Sequence, residues 1–221
     1  MIRWFLFIPF IETYMDDEKN NFISRFFLKR NMYFLKNKKG FYLHKQIQLT
    51  ALSYQDKNKE DLLIKLKSKY RNEIKSFEKK ILKDEIKLTK LIKLNDIIKS
   101  FLLNNYRGQK PNINKLNKLA KNENLLIFNI LYNNQILCSQ IWIRKKNKVR
   151  LIYNVADYKI MKKNKMDSAN KYLMFSTILN LNNANFDIID LGGLSFENNN
   201  IDKFKTQFSR KKVFSYNIIS I

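Results

Sequence analysis

Three apolar runs, Leu125–Tyr132, Gln135–Ile143 and Val149–Ala156, follow one another with only Asn133-Asn134 and Lys145-Lys146-Asn147-Lys148 between them. They are rich in β-branched and aromatic residues, the composition of strands. Connections so short cannot carry the chain back to form a parallel pair, so the runs are expected to fold as an antiparallel meander. A meander with a buried face must be covered, and the flanking sequence has to supply the cover.

That cover is readable as helices. Leu62, Leu63, Leu66, Tyr70, Ile74, Phe77 and Ile81 recur at steps of three and four, which predicts one amphipathic helix over 59–80. Asn58 suits its N-cap, Glu60 and Asp61 suit the positive end of its dipole, and Lys65, Lys69, Asn72 and Lys75 form the solvated face. A short strand over Ile81–Thr89 and a helix over Leu91–Asn104, ending near Gly108, come next. Pro111 is expected to open a third helix that runs to Lys121. Beyond the meander, Asp167 is the expected N-cap of a helix to Leu181, and Phe186–Leu191 a strand ended by Gly192-Gly193. A brief helix over Asn200–Gln207, with Ile201, Phe204 and Phe208 inward, precedes a last strand over Val213–Ile219. In residues 1–50 the runs Trp4–Ile11 and Tyr42–Leu49 read as strands, joined through the basic segment Arg25–Lys39 and a turn at Gly40. Helices mixed with a largely antiparallel sheet define an α+β domain over 51–221, preceded by a strand-rich extension over 1–50.

Composition removes several chemistries. The single cysteine, Cys138, permits no internal disulfide or multi-cysteine metal site, and its apolar surroundings suit a small buried thiol. One histidine, His44, is too few for a polyhistidine metal site and makes a Ser-His-Asp triad hard to build. No metal is expected. The formal charge of +24 has two readings. An acidic partner such as tRNA, a nucleotide-linked substrate or an anionic membrane face accounts for it. So does an AT-rich coding sequence, since lysine, asparagine and isoleucine are abundant throughout. Trp4–Ile11 contains Pro9 and stops at Glu12, well short of the roughly 20 apolar residues a spanning helix needs. A cytoplasmic protein, with peripheral contact to the inner membrane face open to it, is the expectation.

The chain uses only four glycines, and two are adjacent at Gly192-Gly193. A strand ending Asp190-Leu191-Gly192-Gly193 can turn sharply or admit a substrate close to its backbone. Phe204-Lys205 and Phe208 follow soon after. This run, FDIIDLGGLSFENNNIDKFKTQFSRKKV, resembles the end of the FemA/FemB/FemX group of peptidoglycan-bridge aminoacyltransferases, which are built from GNAT-like domains. Ser68-Lys69-Tyr70-Arg71-Asn72-Glu73-Ile74 resembles the helix opening their transferase domain. Lys165 to Leu173, with Ser168-Ala169-Asn170, resembles the helix start after their meander. The resemblance covers about residues 45–215.

What the resemblance implies is a GNAT-like mixed, largely antiparallel sheet flanked by helices, and transfer of an activated acyl or aminoacyl group to an amine. Lys205 would stabilise the oxyanion, with Phe204 orienting it. Asp190 would act on the acceptor amine or brace the Gly-Gly turn. Gly192, Gly193, Tyr153, Asn170 and Arg71 would line substrate. The implied donor is aminoacyl-tRNA or another acyl carrier, no bound cofactor is expected, and the acceptor is a cell-envelope precursor or nucleotide-linked sugar. Two departures matter. Familiar members have two GNAT-like halves, whereas this chain has room for one, with residues 1–50 at most a remnant of the other. The segment DYKIMKKNKM, where acyl-CoA enzymes of this superfamily carry a glycine-rich phosphate loop, has no glycine; Lys159, Lys162, Lys163 and Lys165 would bind phosphates by charge alone. Two other functions remain open: an acyl-CoA-dependent N-acyltransferase of surface-polysaccharide synthesis, and a non-catalytic basic protein binding RNA or membranes.

Overall fold

The computed structural model describes residues 2–5, 8–13, 28–34, 42–82, 85–91, 93–106, 110–121, 123–194 and 200–220, with side-chain surroundings given between 51 and 212. The turn expected at Gly40 and the helix end near Gly108 lie outside these residues. In chain order the elements are β1 (Ile2–Phe5), β2 (Ile8–Thr13), β3 (Leu28–Phe34) and β4 (Tyr42–Ser53). Then come α1 (Lys59–Lys65), α2 (Ser68–Ile81), β5 (Ile86–Leu91), α3 (Asp96–Asn105) and α4 (Ile113–Lys121). The meander supplies β6 (Leu125–Tyr132), β7 (Gln135–Lys145) and β8 (Lys148–Ala156). After it follow α5 (Tyr158–Lys163), α6 (Ala169–Asn183), β9 (Ile188–Leu194), α7 (Asn200–Gln207) and β10 (Ser209–Ser220). Two compact units result, one of Met1–Leu52 with Gly193–Ile221 and one of Ser53–Gly192.

In the first unit the strand order is β1-β2-β3-β10-β4. β1 and β2 pair antiparallel, β2 and β3 parallel, and β3 and β10 antiparallel. The run Trp4–Ile11, expected as one strand, is therefore divided between two. The basic segment expected as a connection holds β3.

In the second unit the order is β9-β8-β7-β6-β5, antiparallel except for the parallel pair β8–β9. The meander forms as expected. Asn133 and Asn134 take φ of 48° and 60°, the left-handed pair that a two-residue hairpin turn demands and that asparagine tolerates. Ile98, Leu102, Leu116, Leu125, Ile127, Ile141 and Val155 join α3 and α4 to one face of the sheet. The other face carries Gln140, whose amide meets the Met174 sulfur of α6 at 3.7 Å. α6 is buried around most of its circumference, at Leu173, Met174, Phe175, Thr177, Ile178 and Leu181. It packs between the sheet and α2 through Phe77–Tyr172 ring contact at 5.4 Å and a Lys171–Glu73 ion pair at 2.6 Å.

Several expected boundaries move. The 59–80 helix is two, because Leu66 turns extended (φ −81°, ψ 151°) and keeps its side chain buried at the break. Asn58 does cap α1, its side chain accepting from Glu60 N at 2.8 Å. The strand after α2 starts at Ile86, since Ile81 still belongs to the helix. Pro111 stands outside α4; Asn112, which can accept from Lys115 N (2.9 Å), takes the cap instead. Asp167 is exposed and does not cap α6, where Ser168 occupies that position without a side-chain bond. The capping aspartate is Asp157, which receives Lys159 N and Ile160 N at the start of α5, a helix anchored by buried Met161. Ile201 is 63% exposed rather than inward, while Phe208 is fully buried. Gly192-Gly193 does not end its strand: β9 runs on to Leu194, with Gly192 absorbing the irregularity at φ 86°.

Candidate active site

Within the second unit, Asp190 is fully buried and each carboxylate oxygen has a partner. Oδ1 accepts from the Gly192 backbone N–H at 2.7 Å, and Oδ2 lies 3.1 Å from Arg150 Nη1. Of the two roles weighed for Asp190, this geometry supports bracing the Gly-Gly segment. The parallel ladder between β8 and β9 runs Lys148↔Ile188, Val149↔Ile189 and Arg150↔Asp190. That last rung is the ion pair. Beyond it β8 continues to Ala156 with no further rung to β9 among the described residues.

Tyr153 owes its direction to a bulge. The β7–β8 register steps from Trp142↔Leu151 to Ile141↔Tyr153, leaving Ile152 as an extra residue on β8. One inserted residue reverses the alternation of side chains, so Tyr153 stands on the face covered by α3 and α4. There its ring meets that of Tyr106, the C-cap of α3, edge to face at 5.1 Å. Burial, with a smaller effect of Tyr153, raises the Tyr106 phenol above its ordinary value of 10.0.

Asn170 lies in the first turn of α6, 9% exposed, and its Oδ1 has no hydrogen-bond partner among the described residues. Just before it, the glycine-free segment forms α5, and its lysines Lys159, Lys162, Lys163 and Lys165 are all exposed. Arg71 spends a guanidinium N–H on the Ile64 carbonyl at 3.3 Å, across the break between α1 and α2. No contact joins Arg71, Asn170 and Tyr153 among the described residues.

Within the first unit, Lys205 Nζ donates to the Gly193 carbonyl at 2.7 Å, spanning from α7 to the strand residue. Phe204 packs on Phe208 with centroids 5.5 Å apart. The ammonium of Lys205 is thereby held by a backbone dipole and half-shielded from water. The expected Phe-Lys and Gly-Gly elements thus meet through Lys205 and Gly193.

Cys138 is fully buried on β7, and desolvation pushes its thiol strongly upward, away from nucleophilic thiolate. No three His, Cys, Asp or Glu side chains converge as a metal site would need among the described residues. No helix among them is long and apolar enough to cross a membrane. Sequence reasoning passed over Arg150 and Tyr106. A signal for Arg150 was present: a cation inside the apolar run Val149-Arg150-Leu151 and an anion inside Ile189-Asp190-Leu191.

No protein-family model matches the sequence, and no curated protein matches it. Solved structures do. The chain is similar to FemX, with a TM-score of 0.59 at 11% identity over 85% of this chain and 66% of that one. It is similar to L-PGS from Bacillus licheniformis, with a TM-score of 0.58 at 10% identity over 96% of this chain and 80% of that one. The C-terminal domain of a protein described as a lysylphosphatidylglycerol synthetase from Agrobacterium fabrum gives 0.57 at 10% identity, over 100% and 83% respectively. At these identities the likeness is one of fold alone: a mixed, largely antiparallel sheet flanked by helices.

Proposed function

We propose that this chain is an acyltransferase of the FemX-like kind, moving an activated aminoacyl or acyl group to an amine of a cell-envelope precursor or nucleotide-linked sugar. The observation that carries this reading is the likeness of fold to FemX together with the Asp-Leu-Gly-Gly strand and the Phe-Lys helix, whose Lys205 is tethered to Gly193. Direct transfer needs no covalent enzyme intermediate, which suits a chain whose cysteine is buried with a raised pKa. As the amine attacks the ester carbonyl, Lys205 lends its positive charge to the oxyanion, a role worth about 3–4 kcal/mol when one such donor is removed; collapse forms the amide, breaks the acyl C–O bond and releases the carrier's hydroxyl, which carries off the proton lost by the amine. Phe204 holds the lysine's helix turn in register. Within the second unit, substrate contacts are assigned to Tyr153 on the α3 and α4 side of the sheet and, separately, to Asn170 of α6 and Arg71 of α2. The protein works in the cytoplasm.

Aminoacyl-tRNA is the favoured donor, because α5 occupies the segment where a glycine-rich phosphate cradle would stand. The test is incubation of the purified protein with charged tRNA or with acyl-CoAs, each with amine-bearing envelope precursors. Aminoacyl transfer from tRNA supports the reading. Thiol release from acyl-CoA redirects it to N-acyl transfer in polysaccharide synthesis. Salt-sensitive RNA or vesicle binding without turnover of any donor overturns it in favour of a non-catalytic binder.

A further inference from the structure

We propose that Asn154 is a substrate-positioning residue: a buried relay from Trp142 through Gln140 turns its amide so that the nitrogen is offered outward, to a neutral carbonyl oxygen of the substrate. The substrate part rests on the transferase reading, and the orientation rests on geometry alone.

The two ends of a side-chain amide have nearly the same shape, so its orientation is set by the hydrogen-bonding character of its neighbours. Around Gln140 the neighbours leave one arrangement. The indole N–H of Trp142 can only donate, and its Nε1 lies 3.3 Å from Gln140 Oε1. The thioether of Met174 can only accept, and it lies 3.7 Å from Gln140 Nε2. Both ends of the Gln140 amide are thus assigned by groups of fixed character, one on its own strand β7 and one on α6. Gln140 Nε2 gives its other hydrogen to Asn154 Oδ1 at 3.3 Å. Asn154 is the Cα partner of Gln140 in the β7–β8 ladder, which puts the two side chains on the same face of the sheet. With its oxygen engaged by Gln140, Asn154 presents its nitrogen on the other side.

Trp142 and Gln140 are fully buried, whereas Asn154 is only half-buried. A buried polar chain is costly when partly satisfied, and when satisfied it specifies a single arrangement. Trp142 and Gln140 meet that condition. Asn154 Nδ2 ends the chain, with no partner among the described residues. An asparagine on an open surface turns its amide to suit whatever it meets. Asn154 is instead a donor oriented before any ligand arrives, and a preorganised donor loses less freedom on binding. An uncharged N–H suits a carbonyl oxygen, the group shared by an activated ester and an amide-bearing acceptor. Asn154 is the residue that touches substrate; Gln140 and Trp142 are positioning residues that act through it.

Proton exchange of the side-chain amides in the whole protein, which needs no substrate, decides the orientation. The Asn154 amide protons should exchange about tenfold or more faster than those of Gln140. Asn154 protons as protected as those of Gln140 would overturn the outward nitrogen. With a working transfer assay, Asn154→Asp keeps the oxygen that Gln140 binds and replaces the outward N–H donor with an acceptor. It should raise one substrate's KM by about tenfold and leave kcat alone. A rise in the donor KM identifies the ester carbonyl as the ligand, and a rise in the acceptor KM identifies an amide carbonyl. Gln140→Met, which removes the relay and keeps Asn154, should raise the same KM by about threefold; no rise there overturns the relay. Should Asn154→Asp fail to fold, Asn154→Ser is read in its place. Two unmoved KM values overturn the substrate part. Wild-type protein that transfers nothing sinks the transferase reading and that part with it, while the exchange result still decides how Asn154 is turned.

Discussion

Tyr106 closes α3 with its ring edge-on to Tyr153 of β8, centroids 5.1 Å apart at an interplanar angle of 89°. The contact exists because a one-residue bulge turns Tyr153 toward α3. Edge-to-face pairs contribute about 0.5–1.5 kcal/mol beyond their buried area, so a double-mutant cycle of Tyr106→Leu and Tyr153→Leu should show coupling of that size. Additive losses in denaturant melts would show that the rings merely share a surface.

The same pair gives a pH signature. The Tyr106 phenol is raised above 10.0, first by desolvation and then by Tyr153, so its folded value exceeds its unfolded one. Its contribution to stability is therefore complete below the unfolded value and is lost as pH rises through the folded one. Wild-type protein should lose stability more steeply than Tyr106→Phe above pH 10, read from denaturation midpoints. Phenolate absorbance should show one late-titrating tyrosine fewer in the variant.

Cys138 should be inert while the protein is folded. Its thiol is fully buried and its pKa is raised by desolvation, so a thiol reagent at neutral pH should label it only after denaturation. Prompt labelling of native protein would mean that β7 opens far more readily than its packing implies.

Loss of the Asn58 cap should weaken α1 by about 1 kcal/mol, since Asn58→Ala removes the acceptor of the Glu60 N–H. Thermal melts of wild type and variant measure this directly. A larger loss would indicate that the break at Leu66 makes α1 depend on its cap more than a continuous helix would.

Lys205→Met should lower kcat by about 100-fold to 1,000-fold with little change in melting temperature. The Nζ bond to Gly193 is half-shielded from water, so its removal costs the fold little. Full activity in the variant would move the catalytic charge elsewhere.

Legibility from sequence followed the range of the interactions. The meander was legible because its turns are local: Asn133 and Asn134 state their conformation by their own chemistry. α7 was legible too, its bounds matching the expected Asn200–Gln207. The break at Leu66 was not, since neither proline nor glycine marks it and Leu66, extended there, fits the apolar spacing of a continuous helix while staying buried. α5 escaped notice because six residues with one buried methionine carry too little periodicity to register. In the site, the Gly-Gly and Phe-Lys elements were visible as residue types, and their tether, Lys205 to Gly193, follows from the fold. Arg150 stayed hidden because its partner lies across α5 and α6 in the chain.

That separation has a kinetic consequence. Hairpins β6–β7 and β7–β8 close over two-residue loops and cost little chain entropy, whereas the Arg150–Asp190 rung must wait for the crossover through α5 and α6 to fold back. The rung is therefore expected to form on the late side of the folding barrier. Weakening it should hasten unfolding and leave the refolding rate nearly untouched, so the protein's lifetime in the folded state depends on a contact that plays no part in reaching it.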